Sequence, residues 1–322
     1  MNHSEIFFKV ESLSKTFPAE QAFTLKRAER KTAFENINLN IYEGEILGLI
    51  GESGSGKTTL GRCLIRLLKT DSGSIVHQNR DLLQISKSEF KKHRPKFQMI
   101  FQHPGLALNP MHTIENILAE PLKVVRPLPK NEIRSRTARL IQLAGLEEQL
   151  LKRRPCQLSG GQQQRAAIAR ALAADPVFLI ADEPVSSLDA SFKKQIIDLL
   201  VDIHKKMGMT LLLISHDMSV IRYAAQRIAV MYKGRIAELG PAAELLGQPL
   251  HPYTIKLIKA SQYDFKSSDM YAPAVKETKS SFEHGCTFYM HCYKSRERCR
   301  QEKPPLLSVS AGRKTACFFT DD

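Results

Sequence analysis

The chain has 322 residues, of which 43% are hydrophobic and 25% charged, and a formal net charge of +14. The length exceeds what one hydrophobic core usually organises, so one sizeable domain with an appendage is expected. Apolar runs such as "LLLIS" and "VFLIA" are far shorter than the roughly 20 residues that span a bilayer, and "MNHSEIFFKVES" lacks the apolar core of a secretory signal, which excludes a transmembrane helix and points to the cytosol. The positive charge suits nucleic acid, an anionic membrane surface or a solvated exterior. Its scattering, with clusters only at Lys26, Arg27, Arg30 and Lys31 and at Lys152, Arg153 and Arg154, favours the last.

In chain order, "FFKVESL" and "AFENINLNIYEGE" alternate apolar and polar residues, the pattern of antiparallel strands with one buried face. The polar stretch "PAEQAFTLKRAERK" between them is read as a loop insertion. "EILGLI", "FQMIF", "VFLIAD" and "TLLLIS" are nearly continuous apolar runs, as in a parallel sheet covered on both faces. From Asn116 to Gln149 the pattern is helical, with Ile133, Leu140, Ile141 and Ala144 near one stripe. "RIAVMYKGRIAELG" forms a hairpin turned at Lys233 and Gly234. After "HPYTIKLIKA" the segment "SQYDFKSSDMYAPAVKETKSSFE" has the composition of a linker.

"EILGLIGESGSGKTTLGRCLIRLL" has the form strand, glycine loop, helix. Gly51, Gly54 and Gly56, with Ser53 and Ser55, let the backbone curl with its N–H groups inward above a helix running from Lys57 to Leu68. Lys57 can neutralise the outer phosphates of a nucleotide, Thr58 can ligate Mg²⁺, and Thr59 completes the loop. "VFLIADEP" ends a strand with two carboxylates. Strand side chains alternate in direction, so Asp182 faces the metal while Glu183 faces a different point, the attacking water. Gln102 and His216 follow two other apolar runs, at the carboxyl edge where open α/β sheets bind ligands.

A second phosphate-binding device begins at "LSGGQ". Ser159, Gly160, Gly161 and Gln162 open a helix whose exposed N–H groups, hydroxyl and dipole suit a terminal phosphate. This helix follows the helical insertion and not a core strand, so it has no phosphate of its own. In a head-to-tail pair of chains it would close over the nucleotide held by the partner, making ATP the glue of a dimer that hydrolysis releases.

"GESGSGKTT", Gln102, "LSGGQ", "FLIADEP", "SSLD" and His216, in this order, resemble the Walker A, Q-loop, signature, Walker B, D-loop and switch histidine of ABC ATPases over about residues 5 to 245. The resemblance implies an α/β P-loop NTPase cassette: a RecA-like core, an antiparallel β subdomain and an α-helical subdomain over about 105–165. Domains are expected at 1–250, the cassette, and 251–322, a small cysteine-containing extension. It also puts Phe17 where the adenine-stacking aromatic sits, Gln102 with Thr58 and Asp182 around Mg²⁺, and Asp189 on the loop that crosses to the partner subunit.

"FQHPGLALNP", "IADEPVSSLD" and "PLHPYTIKLI" are similar to the oligopeptide/dipeptide/nickel import ATPases, most of all to the second of their paired ATP-binding subunits. That implies a heterodimer with a paralogous ATPase at the cytoplasmic face of the membrane. It would dock under two permeases, which receive substrate from an extracytoplasmic binding protein. The stretch from Gln102 to Asn116 would contact the permeases, although "HPGL" departs from the commoner wording there. Peptides are the expected cargo, with nickel or metal–chelator complexes as the alternative; an ABC ATPase acting on nucleic acid is a remote one, and no nucleic-acid partner is expected. A regulatory module without efficient turnover is disfavoured by the retained Glu183 and His216.

Of six cysteines, Cys63 and Cys156 are isolated and read as small buried hydrophobes. Cys286, Cys292, Cys299 and Cys317 lack the close pairs of structural zinc sites, and a reducing cytosol disfavours disulfides. In the family resembled, some members hold an iron–sulfur cluster in this extension, so a [4Fe–4S] cluster stands beside a metal-free packed tail as an equal reading.

Overall fold

The computed structural model describes residues 5–18, 30–125, 128–186, 188–262 and 284–320. The proposed loop insertion and linker lie mostly outside them. The first strands are β1 (Ile6–Pro18), β2 (Arg30–Tyr42) and β3 (Ile46–Ile50), and β3 leads into helix α1 (Lys57–Leu64). Strands β4 (Ser72–His77) and β5 (Arg80–Asp81), helix α2 (Lys87–His93) and strand β6 (Phe97–Ile100) come next. A helical run then spans α3 (Pro104–Ala107), α4 (Ile114–Val125), α5 (Lys130–Leu143) and α6 (Gly160–Leu172). The core resumes with β7 (Phe178–Asp182), α7 (Ala190–Met207), β8 (Thr210–Ser215), α8 (Met218–Ala224), β9 (Arg227–Tyr232) and β10 (Arg235–Pro241). Helices α9 (Ala242–Gly247), α10 (Pro252–Gln262) and α11 (Glu297–Gln301) and strands β11 (Leu307–Ser310) and β12 (Arg313–Thr315) complete the chain.

Among the described residues the strands form two sheets. One is antiparallel, in the order β2-β1-β4-β5, and the other runs β11-β12-β10-β9-β3-β8-β7-β6. Strands β9, β3, β8, β7 and β6 are mutually parallel along that order, as their continuous apolar sequences require. Alternation splits their side chains between two cores. Ile46, Leu179, Leu211, Leu213 and Val230 face α6, α7 and α8. Leu47, Leu49, Ile180, Leu212 and Met231 face α1 and the antiparallel sheet. Phe8 and Phe178 meet edge to face at 4.8 Å there and are both fully buried, each contributing about 1.5–3 kcal/mol by leaving water. Helices α4 to α6 bury a separate cluster, including Ile114, Leu118, Ile141 and Ala166.

Two local expectations need correction. Helix α1 stops at Leu64, not Leu68, because Arg66 adopts φ 53°, a left-handed conformation that a right-handed helix cannot contain. Cys63 is buried as expected but Cys156 is exposed, since it lies in the short 3₁₀ turn Pro155–Gln157 ahead of α6, where Pro155 takes the inward position. The extension also carries sheet structure. β12 pairs antiparallel with β10, Glu238 opposite Thr315, and β11 pairs with β12.

Candidate functional site

The loop between β3 and α1 takes its shape from contacts that exclude side chains. Gly56, the residue before α1, has φ 101°, and a Cβ there would meet the Ala33 carbonyl oxygen at 2.3 Å. Only glycine accepts that conformation this close to another backbone. The α1 terminus therefore has no side-chain cap, and its N–H groups point into the loop as anion donors. Ser55 and Lys57 are buried, Thr58 and Thr59 are half-buried, and Ser53 and Gly54 are exposed. The Lys57 ammonium donates to the carbonyl oxygens of Gly51 and Glu52, both at 2.8 Å, and to Ser55 Oγ at 3.4 Å. Burial lowers its pKa, an effect opposed by Glu183, Asp182 and Glu52.

Strand pairing brings the other groups to the same edge. Asp182 ends β7, and its Oδ1 accepts a hydrogen bond from Thr58 Oγ1 at 2.8 Å. Burial raises the Asp182 pKa, partly offset by Thr58 and Arg62. Two oxygen donors on a buried, anionic site form the set a hard cation such as Mg²⁺ takes. Glu183 is not aimed by strand alternation. It has left the strand with φ 47° while its N–H still pairs with the Ile214 carbonyl at 2.9 Å. A left-handed glutamate costs about 1–3 kcal/mol and is the kind of strain that functional sites hold. Its Oε2 accepts from Gln102 Nε2 at 3.0 Å and lies 3.1 Å from His216 Nδ1. Thr58 with Asp182, and Gln102 and His216 with Glu183, thus form two bonded groups at one sheet edge, and the Lys57 ammonium feels the charge of both carboxylates.

Three other sequence-selected groups sit outside these two. Phe17 is half-buried near the end of β1, with the Lys15 ammonium 5.2 Å from its ring centre. Ser159 caps α6: its hydroxyl accepts the Gln162 N–H at 3.3 Å, and Gln162 Oε1 accepts the Ser159 N–H at 3.0 Å. Gly160 and Gly161 border Leu188 and Phe192, next to exposed Asp189, which opens α7 without a side-chain cap. A cleft of about 1610 Å³ lies apart from all of these and has a basic lining that includes Arg66, Lys69, Lys87, Lys91, Arg94 and Lys96.

Cys286, Cys292, Cys299 and Cys317 line one cavity with His251 and Phe288. Burial raises the thiol pKa values of Cys286, Cys292 and Cys317, that of Cys292 to about 11. The cavity is only about 10 Å³, room for a single water at most. No group of three or more His, Cys, Asp or Glu among the described residues is arranged to hold a metal ion. As packed, the four thiols converge but do not fit a cluster.

Sequence reasoning from the residues missed Tyr253 and Glu238. Both are buried, and both tie the extension to the cassette. The signal available was the string "HPY" itself, a bulky aromatic after proline at a helix start.

Comparisons with known proteins agree with this geometry. The ABC transporter family model matches residues 34–186, and the model of the oligopeptide/dipeptide transporter C-terminal region matches residues 237–299. The chain is 38% identical over 317 residues to a probable peptide ABC transporter ATP-binding protein, y4tS, of Sinorhizobium fredii, covering 98% of this chain and 90% of that one. It is 36% identical over 331 residues to the oligopeptide transport ATP-binding protein OppF of Haemophilus influenzae, covering 98% of each. Among solved structures it resembles the dimeric post-hydrolysis state of the ATP-binding cassette MJ0796 bound to ADP and Pi. That match has a TM-score of 0.66 and 32% identity, over 73% of this chain and 98% of that one. A further match is cbiO1 from Clostridium perfringens, with a TM-score of 0.66 and 29% identity over 76% of this chain and 92% of that one. Identity of 36–38% to these two relatives over nearly the whole chain, and a bipartite family match, agree with a glycine loop that shares one sheet edge with Asp182, Glu183, Gln102 and His216: this chain belongs to the ATP-hydrolysing subunits of ABC transporters, in the oligopeptide/dipeptide group.

Proposed function

We propose that the chain powers import of peptides through a membrane ABC transporter, by ATP-driven closure of an ATPase dimer. The observation that carries the ATPase part is the convergence of Gln102 and His216 on one oxygen of Glu183. Both contacts end on Oε2, so Oε1 is the oxygen offered to a water. Glu183 then takes the proton of that water as it attacks the γ-phosphate, and Gln102 and His216 hold the carboxylate in line. Lys57 and the α1 N–H groups bind the phosphates, with Gly51, Ser53, Gly54, Ser55, Gly56 and Thr59 forming the loop; Phe17 stacks on the base. Mg²⁺, bound with the triphosphate by Thr58, Asp182 and Gln102, would neutralise charge developing on the phosphate oxygens.

The partner in this reading is a paralogous ATPase, with Ser159, Gly160, Gly161, Gln162 and Asp189 facing its nucleotide. Two permeases and an extracytoplasmic binding protein complete the assembly. The exposed side chain of Met111, between α3 and α4, suits an apolar contact with a permease. Among the described residues no helix is long and apolar enough to cross a membrane, and in this reading the chain attaches peripherally at the cytoplasmic face. The cassette is assigned to 1–250 and the extension to 251–322. Uptake of labelled peptide by vesicles carrying the full transporter is expected to require this chain and ATP. Uptake of nickel or a metal chelate in place of peptide would move the cargo to the alternative.

A [4Fe–4S] cluster on Cys286, Cys292, Cys299 and Cys317 is the further cofactor in this reading, carried by the four-thiolate donor set alone. It requires the cavity to open. Anaerobically purified protein should be brown, with about four irons per chain; colourless protein with free thiols at all four positions would remove the cluster.

A further inference from the structure

The segment His251–Pro252–Tyr253 joins the extension to the phosphate loop. Tyr253 is 1% exposed, with its ring 4.4 Å from that of Tyr232 and 5.5 Å from that of Phe288. Its hydroxyl oxygen accepts the Glu52 backbone N–H at 2.9 Å. That N–H belongs to the peptide unit whose carbonyl, on Gly51, receives the Lys57 ammonium at 2.8 Å. A trans peptide is planar, with its N–H and C=O pointing in opposite directions. One rigid plane is therefore held from one side by Tyr253 and from the other by Lys57, and turning it would break both bonds.

Tyr253 is itself fixed. Its N–H donates to His251 Nδ1 at 3.0 Å, and the His251 N–H donates to Glu238 Oε2 at 2.9 Å. Glu238 is fully buried and also accepts from Arg313 Nη2 at 2.9 Å and from the Leu250 N–H at 3.0 Å. Arg313 lies on β12 and Phe288 in the cysteine lobe, so the extension holds the tyrosine in place. Burial keeps the His251 ring neutral, with its pKa down to about 4, and keeps the Tyr253 phenol protonated, with its pKa up to about 12.

We propose that Tyr253 is a positioning residue for the nucleotide site: it orients the Gly51–Glu52 peptide, and through that peptide the Lys57 ammonium, so that the extension braces the phosphate loop. The proposal rests on the ATPase reading for its consequence but not for its geometry. Full-length wild type and Tyr253→Phe should be compared without nucleotide by amide hydrogen exchange of peptides covering 50–56, and then by titration with a fluorescent ATP analogue with Mg²⁺. The variant keeps the ring and loses only the acceptor oxygen. Faster exchange at the Glu52 amide and a Kd raised about fivefold are expected, the effect of one buried donor left unpaired.

Ile141→Ala, in the separate buried cluster of α4 to α6, is the packing control. It should lower the melting temperature while leaving Glu52 exchange and nucleotide Kd as in wild type. Fast Glu52 exchange in wild type, unchanged exchange and Kd in Tyr253→Phe, or Kd changes that follow melting temperature in both variants would overturn the proposal. Failure of wild type to bind the nucleotide would instead strike the ATPase reading and leave the exchange result to decide the brace.

Discussion

Helices α1 and α6 both begin at glycine-rich segments, yet their N-termini are built in opposite ways. Gly56 enters α1 in a left-handed conformation without a side-chain cap, so the terminal N–H groups remain for a ligand. Ser159 enters α6 extended and closes a capping box with Gln162, which satisfies donors of the terminus from within the chain. Of the two, α1 is an anion site ready in a single chain. In that cap the Ser159 oxygen accepts the Gln162 N–H, and a hydroxyl that accepts can still donate its hydrogen to a ligand oxygen.

The sharpest separation of binding from chemistry comes from Glu183→Gln. Loss of the carboxylate removes the proton acceptor, and phosphate release by the assembled transporter should fall by roughly 10²–10⁴-fold. ATP affinity should change little, because α1 and Lys57 are untouched, so ATP should be trapped in the closed dimer. Turnover within a few-fold of wild type would remove Glu183 from the role. Lys57→Ala tests α1 itself. Removing a charged donor from the phosphates should weaken ATP binding to the isolated full-length chain by roughly 10- to 100-fold, read by fluorescent-analogue titration. An unaltered Kd would mean that the α1 terminus is not the primary phosphate site.

These two variants target groups that were legible in sequence, because each sits in a short string set by local rules. An apolar run gives a parallel strand, and the polar residue after it must lie at the carboxyl edge. Asp182, Gln102 and His216 follow from that rule alone. The aim of Glu183 does not, since alternation along β7 gives way to a left-handed residue whose strain only the surrounding packing sustains. The strings "LSVS" and "RKT" are too short and polar to read as strands. They become β11 and β12 because β10 offers an unpaired edge and Glu238 a buried partner for Arg313. Nor does spacing disclose that the oxygen bonded to the Glu52 N–H belongs to a residue 201 positions later. Long-range pairing of this kind depends on tertiary placement, which no local pattern encodes.

The smallest expected effect bears most directly on the contrast between the two helices. Ser159→Ala deletes the hydroxyl that accepts the Gln162 N–H and should cost about 1 kcal/mol of stability, the usual value of an N-cap. In thermal unfolding of the isolated chain that is a shift of about 2 °C. ATP affinity of the isolated chain should stay at the wild-type value, because α6 holds no nucleotide there. In the assembled transporter the same variant should slow ATP hydrolysis, since the hydroxyl that would face the partner's γ-phosphate is gone. A fall in ATP affinity of the isolated chain, matching that of Lys57→Ala, would place both helix termini on one nucleotide and erase the distinction. Unchanged hydrolysis in the assembly, with the stability loss intact, would leave Ser159 only its work as a cap and require Gly160, Gly161 and Gln162 to meet the phosphate without it.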